Sequence, residues 1–144
     1  RDVKLASLRR EIGVIPQDMV DRELAHRGAT ELRIVGTLHE RKAVMAELSD
    51  AFIALPGGFG TLEEFFEVLT WSQLGLHLKP CGIVNVLGYY TPLLAMLDHA
   101  VSERFLKPQN RALVLARETP AELLQALAEW RPVHVEKWLD RDTR

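Results

Sequence analysis

The sequence predicts an α/β domain: an open, doubly wound and mostly parallel sheet with helices on both of its faces. Short apolar runs alternate along the chain with stretches of helical period, and the run AFIAL at residues 51–55 shows no polar alternation. Alternating strands and helices are typical of a parallel sheet. Strands of such a sheet are buried on both faces and are therefore continuously apolar. We expect AFIAL to be a strand of this kind.

The individual elements follow from the period of the apolar residues. The predicted strands are residues 11–15, 32–35, 51–55, 81–86 and 112–115, and the predicted helices are residues 19–26, 38–48, 61–74, 92–105 and 120–130. Two helices begin with an N-cap signal, which is Thr61 in one and Thr119, followed by Pro120, in the other. After Thr61 the apolar residues recur at helical spacing, which predicts a buried stripe of Leu62, Phe65, Phe66 and Leu69. This stripe leaves Glu63, Glu64 and Glu67 off the core.

Length and composition are those of one globular domain. The chain has 144 residues, and we expect one domain over residues 1–144 that ends in a C-terminal tail, residues 131–144. The formal net charge of −2 and the absence of any charged block argue against binding of a nucleic acid polymer. No apolar run approaches the roughly 20 residues of a membrane-spanning helix, so we expect neither a membrane span nor a secretory leader. The single cysteine, Cys81, excludes an internal disulfide, so we expect a cytoplasmic protein.

The strongest local motif is PGGFGTLEE at residues 56–64, between a predicted buried strand and an amphipathic helix. Glycines allow positive φ and a close approach of the backbone, so that free N–H groups at a helix start can surround an anion. The Thr61 hydroxyl would assist them. The alternative is a tight turn in which Thr61 and Glu64 form a capping box and nothing is bound. Because Gly57, Gly58 and Gly60 fall within four positions, directly after a strand, we favour the anion site.

The motif also narrows the class of ligand. It is neither a Walker loop nor G-x-G-x-x-G, which argues against ATP hydrolysis and hydride transfer. No cluster of aspartates is evident for a metal. We therefore expect a monophosphate, either a nucleoside monophosphate or a sugar phosphate, without a metal ion.

A second motif is HERKAVM at residues 39–45, at the start of a predicted helix. Arg41 and Lys42 are adjacent and point about 100° apart, so one of them can reach a site. The alternative is a solvated helix whose charges pair with Glu40 and Glu47, and the two interpretations are about equal.

Together, HERKAVM and the segment at residues 49–90 resemble the cytokinin-activating phosphoribohydrolases of the LONELY GUY family, formerly described as possible lysine decarboxylases. The resemblance covers about residues 12–130, and the combination of R-K with P-G-G-x-G-T-x-x-E is specific. It implies a Rossmann-like homodimer that hydrolyses the N-glycosidic bond of a nucleoside 5′-monophosphate. The substrates would be cytokinin riboside 5′-monophosphates, AMP or both, and the products free base and ribose 5-phosphate. It also implies that no cofactor takes part.

The resemblance further implies which residues act. Arg41 and Glu64 match the catalytic pair. The positions that match substrate contacts are Glu23, Lys42, Gly57, Gly58, Gly60, Thr61 and Thr70. Members of the family usually begin with a strand and a G-G-G-x-x-G-L-M-G loop, which this sequence lacks, so we expect the domain to be incomplete at its N-terminus.

Two other functions compete with this one. A nucleotide or cofactor carrier would use the same P-G-G-x-G-T cradle without catalysis. A decarboxylase would need pyridoxal phosphate and an activated lysine, for which Lys42 beside Arg41 offers no route.

The apolar residues around Gly75 also have two interpretations. These residues, Trp71, Leu74, Leu76 and Leu78, could extend a dimer surface or line the core under the next strand.

Overall fold

The computed structural model describes residues 12–20 and 29–132. The chain divides into two compact units, Arg1–Ser49 and Asp50–Arg144. Each unit is described by itself.

The first unit contains a pair of parallel strands. β1 (Ile12–Pro16) is followed by α1 (Gln17–Val20), β2 (Glu31–Val35) and α2 (Leu38–Leu48). Ile12 lies opposite Glu31 in the β1–β2 register. The predicted helix at residues 38–48 is confirmed, and it begins after Thr37, whose hydroxyl accepts the Glu40 N–H at 3.1 Å. The Glu40 carboxylate in turn accepts the Gly36 N–H at 2.8 Å, so this charge caps the start of the helix.

The second unit contains a three-stranded parallel sheet. Its elements are β3 (Phe52–Ala54), α3 (Phe59–Gln73), β4 (Cys81–Val84), α4 (Thr91–Ser102), α5 (Pro108–Arg111), β5 (Val114–Arg117) and α6 (Pro120–Glu129). The strand order is β3-β4-β5, with Cys81 opposite both Phe52 and Val114. A single 3₁₀ turn, Val86–Gly88, follows β4.

Helices cover both faces of this sheet because side chains alternate along β4. Cys81 and Ile83 lie in a core cluster with residues of α3 and α4. Val84 lies in a second cluster with Leu123 and Leu127 of α6. The predicted α/β fold, Rossmann-like with open parallel sheets flanked by helices, is therefore confirmed.

The predicted stripe on α3 is also confirmed. Phe65 and Leu69 are buried, and Leu62 and Phe66 pack against the same cluster. The N-cap at Thr119 is confirmed as well, because its hydroxyl and the Glu122 carboxylate form a reciprocal capping box.

The predicted burial of AFIAL is wrong in two places. Ile53 is 43% exposed and Leu55 is 60% exposed. β3 is paired with β4 alone among the described strands, and Leu55 lies beyond its end. The short helix α5 was not predicted. Its signal is Pro108 at the first helical turn, where the missing N–H of proline costs nothing.

Within residues 12–20 and 29–132, no helix has the length and apolar character needed to cross a membrane.

Candidate functional site

The P-G-G-F-G-T motif forms the connection between β3 and α3. β3 ends at Ala54 and α3 begins at Phe59, so the loop lies at the carboxyl end of a parallel strand. Ligands of open α/β sheets bind at this edge. The position predicted from the sequence for an anion site is therefore the one that the fold provides.

The N-terminus of α3 is open. Its N-cap is Gly58, which has no side chain to accept a helix N–H. The Gly58 carbonyl accepts the Leu62 N–H at 3.1 Å, which is the first bond of the helix. Among the described residues, the N–H groups of Phe59, Gly60 and Thr61 have no acceptor. These donors and the helix dipole favour an anion.

The predicted N-cap at Thr61 is wrong, because Thr61 is the third residue of the helix. The capping box between Thr61 and Glu64, the alternative to an anion site, is therefore not formed. The Thr61 side chain instead lies against Gly57. A Cβ on Gly57 would collide with the Thr61 hydroxyl and lie 2.8 Å from the Thr61 Cβ.

The loop glycines serve close approach rather than positive φ. Among the described glycines, those with positive φ are Gly75 and Gly88, so the loop glycines do not use the positive φ that glycine allows. Gly57 is required by Thr61, as described above. At Gly58 and Gly60, by contrast, an added Cβ would meet nothing within 4 Å. Residues 12–20 and 29–132 therefore leave open space beside these N–H groups.

Glu64 stands one turn beyond Gly60 on the same face of α3. Side chains of a helix lean toward its N-terminus, which for position 64 is the turn that contains Gly60. Glu64 is half-buried. Glu63 is exposed, and Glu67 is half-buried one turn further along. Of the three carboxylates, Glu64 therefore has the position best suited to a ligand at the helix start.

Two tyrosines hold the loop, and sequence reasoning missed both. The Tyr89 hydroxyl donates to the Gly57 carbonyl at 2.8 Å, and the Tyr90 hydroxyl donates to the Leu55 carbonyl at 2.6 Å. Tyr90 is only 2% exposed, and burial raises its pKa above the usual value, with Tyr89 adding to the effect. The signal in the sequence was the pair of adjacent tyrosines after a predicted strand.

Asn85 positions these tyrosines. Its side-chain oxygen accepts the Tyr90 N–H at 2.7 Å, and its side-chain nitrogen donates to the Thr91 hydroxyl at 3.1 Å. Its backbone N–H donates to the Arg117 carbonyl at 2.8 Å. Asn85 therefore ties the end of β4 to β5 and to the start of α4. Between Asn85 and the tyrosines, Leu87 has a φ of 50°, in the left-handed region.

The structure places Thr70 away from the loop. It lies ten positions beyond Gly60 on α3, about 15 Å along the helix axis. Its hydroxyl donates to the Phe66 carbonyl at 2.7 Å. It lines a separate cavity of about 80 Å³ with Leu97 and Asn110 among its walls. Its role in substrate binding stays a prediction.

The other predicted residues lie in the first unit or outside the described residues. Arg41 and Lys42 are half-buried in the first half of α2. The backbone N–H of Arg41 donates to the Thr37 carbonyl at 3.0 Å. Glu23 lies outside the described residues. The roles of all three stay predictions. In the part of the chain that the structure describes, no group of three His, Cys, Asp or Glu could hold a metal ion.

Comparison with known proteins identifies the family. A family model described as "Possible lysine decarboxylase" matches residues 2–127. The chain belongs to this family.

Curated relatives are about half identical to the chain. The match to a rice protein named probable cytokinin riboside 5′-monophosphate phosphoribohydrolase is 51% identical over 126 residues, 88% of this chain and 52% of that protein. Two phosphoribohydrolases of the same specificity from Arabidopsis thaliana are 51% and 48% identical, each over 88% of this chain and 59% of their own length. The resemblance to the LONELY GUY proteins is thus confirmed. The chain spans between about half and three-fifths of the length of these relatives.

Proposed function

We propose that the protein hydrolyses the N-glycosidic bond of a nucleoside 5′-monophosphate, a cytokinin riboside 5′-monophosphate or AMP, and releases the free base and ribose 5-phosphate. The open N-terminus of α3 carries this proposal. It combines unpaired N–H groups, unfilled space at Gly58 and Gly60, and a carboxylate one turn further along. The names of the curated relatives support the same activity.

Two of the loop glycines, Gly58 and Gly60, are not explained by the fold. Glycine inside a helix costs up to about 1 kcal/mol relative to alanine. Gly60 is the second residue of α3, and its surroundings would accept an alanine. A ligand that approaches the backbone closely accounts for its presence. A phosphate fits, because it is anionic and takes several N–H bonds at once.

Glu64 would act on the sugar. Cleavage of the C1′–N bond builds positive charge on the ribose, as in glycoside hydrolysis. With the phosphate at the helix start, the ribose extends along α3 toward Glu64, whose carboxylate stabilises this charge and takes a proton from the attacking water. The water oxygen bonds to C1′ as the C1′–N bond breaks. The leaving base takes a proton from a second acid, for which Glu67 and Glu63 are the candidates.

Arg41 would act as a cation and not as an acid. A guanidinium offers several hydrogen-bond donors in a fixed geometry and suits phosphate and carboxylate partners. Clamping the phosphate and ribose, or fixing the Glu64 carboxylate, is the chemistry that it can supply. Lys42 would add a second positive charge for the phosphate.

The decarboxylase activity named by the family model is less well supported. Pyridoxal phosphate needs a lysine at its binding site. The described lysines of the second unit are Lys79 and Lys107, which precede β4 and α5. Lys79 lies at the amino end of its strand, opposite the edge that holds the glycine loop. These lysines do not fit a cofactor whose phosphate occupies α3.

The test is release of free base from AMP and from N6-isopentenyladenosine monophosphate. We expect Glu64→Gln to lower turnover about 100-fold or more while ribose 5-phosphate still binds. Glu103→Gln is the matched control, because it removes an exposed carboxylate at the C-terminal end of α4, to which no role is assigned, and should keep most activity. Binding of nucleotide without release of base by the unsubstituted protein would support a carrier instead.

We also propose that the protein is a homodimer and acts in the cytoplasm, as the resemblance and the single cysteine suggest. The surface after α3 supports a dimer. Leu74, Leu76 and Leu78 are 64%, 70% and 64% exposed, so they do not line the core. An apolar surface of this kind is typical of an interface.

A further inference from the structure

The hydrogen bonds from Tyr89 and Tyr90 fall on two particular carbonyls of the glycine loop. Tyr89 donates to the Gly57 carbonyl and Tyr90 to the Leu55 carbonyl. In an α-helix, each N–H donates to the carbonyl four residues earlier. Gly57 is therefore the acceptor that the Thr61 N–H would use if α3 began one turn earlier. Leu55 is the corresponding acceptor for the Phe59 N–H.

The sequence permits such an earlier start. Pro56 would then occupy the first helical position, where proline is favourable, with Leu55 as the N-cap. Gly57 and Gly58 have little conformational preference and could turn into the helix. The observed helix instead begins at Phe59. That turn would depend on three carbonyl acceptors, those of Leu55, Pro56 and Gly57, and the tyrosine hydroxyls occupy the first and the last of them.

The Tyr89 bond also orients a further donor. A trans peptide is planar, so its carbonyl and the next N–H point in opposite directions. The described peptide bonds are all trans. With the Gly57 carbonyl directed at Tyr89, the Gly58 N–H points away from Tyr89. No acceptor among the described residues pairs with this N–H. A hydrogen bond to the carbonyl also polarises the same peptide group and strengthens its N–H as a donor.

We propose that Tyr89 and Tyr90 are positioning residues for the substrate phosphate, acting by holding the loop carbonyls away from the first amides of α3. This inference rests on the proposed function for the identity of the ligand. The tyrosines need not touch the substrate, because they act through the backbone. Their effect should fall on phosphate binding and leave the bond-breaking step nearly unchanged.

The first test needs no ligand. Tyr89→Phe and Tyr90→Phe keep both rings and remove only the hydroxyls. We expect the exchange of the Thr61 amide hydrogen to slow several-fold in Tyr89→Phe, and that of Phe59 in Tyr90→Phe, since each freed carbonyl can accept its amide. Ser102→Ala is the matched control, because it removes another hydroxyl-to-carbonyl bond, 2.7 Å to His99, at the end of α4. Unchanged exchange at both amides in the tyrosine variants would overturn the proposal.

The second test measures ligand affinity by calorimetry, with ribose 5-phosphate and adenosine as probes. We expect each tyrosine variant to bind ribose 5-phosphate about tenfold more weakly, with adenosine binding unchanged and Ser102→Ala like the unsubstituted protein. With AMP as substrate, KM should rise by the same factor and kcat should change less than about threefold. A fall in kcat at constant KM, or equal loss of both ligands, would contradict positioning. If Tyr90→Phe does not fold, the measurements on Tyr89→Phe, at an exposed position, test the proposal by themselves.

These tests separate the inference from the proposed function. If the protein binds ribose 5-phosphate through α3 but releases no base from any nucleotide, the proposed function is wrong. The amide exchange and the phosphate affinity still test the positioning role of the tyrosines in that case. If base is released and the tyrosine variants match the unsubstituted protein, the positioning role fails alone.

Discussion

The glycines of the loop are present for two different physical reasons. Gly57 is required by the fold, because a side chain there would collide with Thr61. Gly58 and Gly60 have open space beside them and negative or helical backbone angles. A residue that costs stability and is not required by packing indicates a function at that position.

Gly60→Ala should therefore stabilise the protein and weaken its ligand binding. We expect the melting temperature to rise by about 2–4 °C, since alanine is the better helix former. The added methyl group occupies the space beside the free amides, so ribose 5-phosphate should bind at least about tenfold more weakly. Thermal unfolding and calorimetry measure the two effects.

Gly57→Ala is the contrasting variant, which should lower stability by about 1–3 kcal/mol because it crowds Thr61. A Gly60→Ala protein that binds the phosphate normally would show that the open space is not a ligand site.

Cys81 should make stability depend on alkaline pH. It is 1% exposed, and burial raises its pKa from the ordinary 9.0 of a thiol to about 12. The folded state keeps the thiol proton in a range where the unfolded state loses it. The contribution of this thiol to the free energy of unfolding is therefore fully present below pH 9 and is lost as the pH rises toward 12.

Urea unfolding between pH 9 and pH 10.5 should show a loss of about 1 kcal/mol per pH unit in excess of that in Cys81→Ala. Equal slopes in the two proteins would contradict the assignment to this thiol.

At the scale of elements, close packing sets the distance between the sheet and α6. An added Cβ on Gly82, in the middle of β4, would lie 2.6 Å from the Leu123 Cδ1 atom. Leu123 is fully buried in a cluster with Val84 and Leu127. The helix lies this close to the strand because Gly82 has no side chain.

Gly82→Ala should lower the free energy of unfolding by about 1–3 kcal/mol through overpacking. Leu123→Ala alone should cost about 2–5 kcal/mol. The double variant should lose less than the sum, because the smaller residue at 123 makes room for the methyl group. Strict additivity in denaturant unfolding would show that the two positions are not in contact. Phosphate binding should not change in any of the three proteins that remain folded.

The end of α3 is determined by local chemistry. Gly75 has a φ of +71° and follows the C-cap Leu74. The Leu76 N–H donates to the Trp71 carbonyl at 2.9 Å, and the Gly75 N–H donates to the Ser72 carbonyl at 3.0 Å. This pair of bonds is a Schellman motif. It turns the chain sharply and leaves the following leucines on the surface.

At the scale of the whole molecule, the exposed leucines that follow α3 are relevant to the proposed dimer. Leu76→Asp should shift a dimer toward monomer, because it places a charge in an apolar interface. Leu124→Asp is the matched control, since Leu124 is 58% exposed on α6, away from this turn. Analytical ultracentrifugation of the two variants measures the shift. A Leu76→Asp protein that stays dimeric would exclude this surface as the interface.

Much of the fold could be predicted because it depends on local patterns. The predicted bounds of α2 are the observed ones, and the period of apolar residues located the stripe on α3 that buries Phe65 and Leu69. The start of α3 could not be predicted in this way. Thr61 is a favourable N-cap on local grounds, but Gly58 takes that place because Thr61 packs against Gly57.

The candidate site divides in the same manner. The glycine loop and Glu64 could be found from their spacing in the sequence, because Glu64 lies near the start of the helix that directly follows the loop. The tyrosines were not, because their bonds join residues 32 and 35 positions apart in the chain.

The sequence by itself determined the class of the fold, the family and the position of the loop proposed as an anion site, since each of these depends on residues that are neighbours along the chain. Only the tertiary structure decided which donors of the site are free. That depends on which carbonyls Tyr89 and Tyr90 occupy, and hence on the pairing of β3 with β4, which brings the two loops together. Hydrogen bonds act over a few ångströms in space and are independent of separation in sequence, so no local pattern records them.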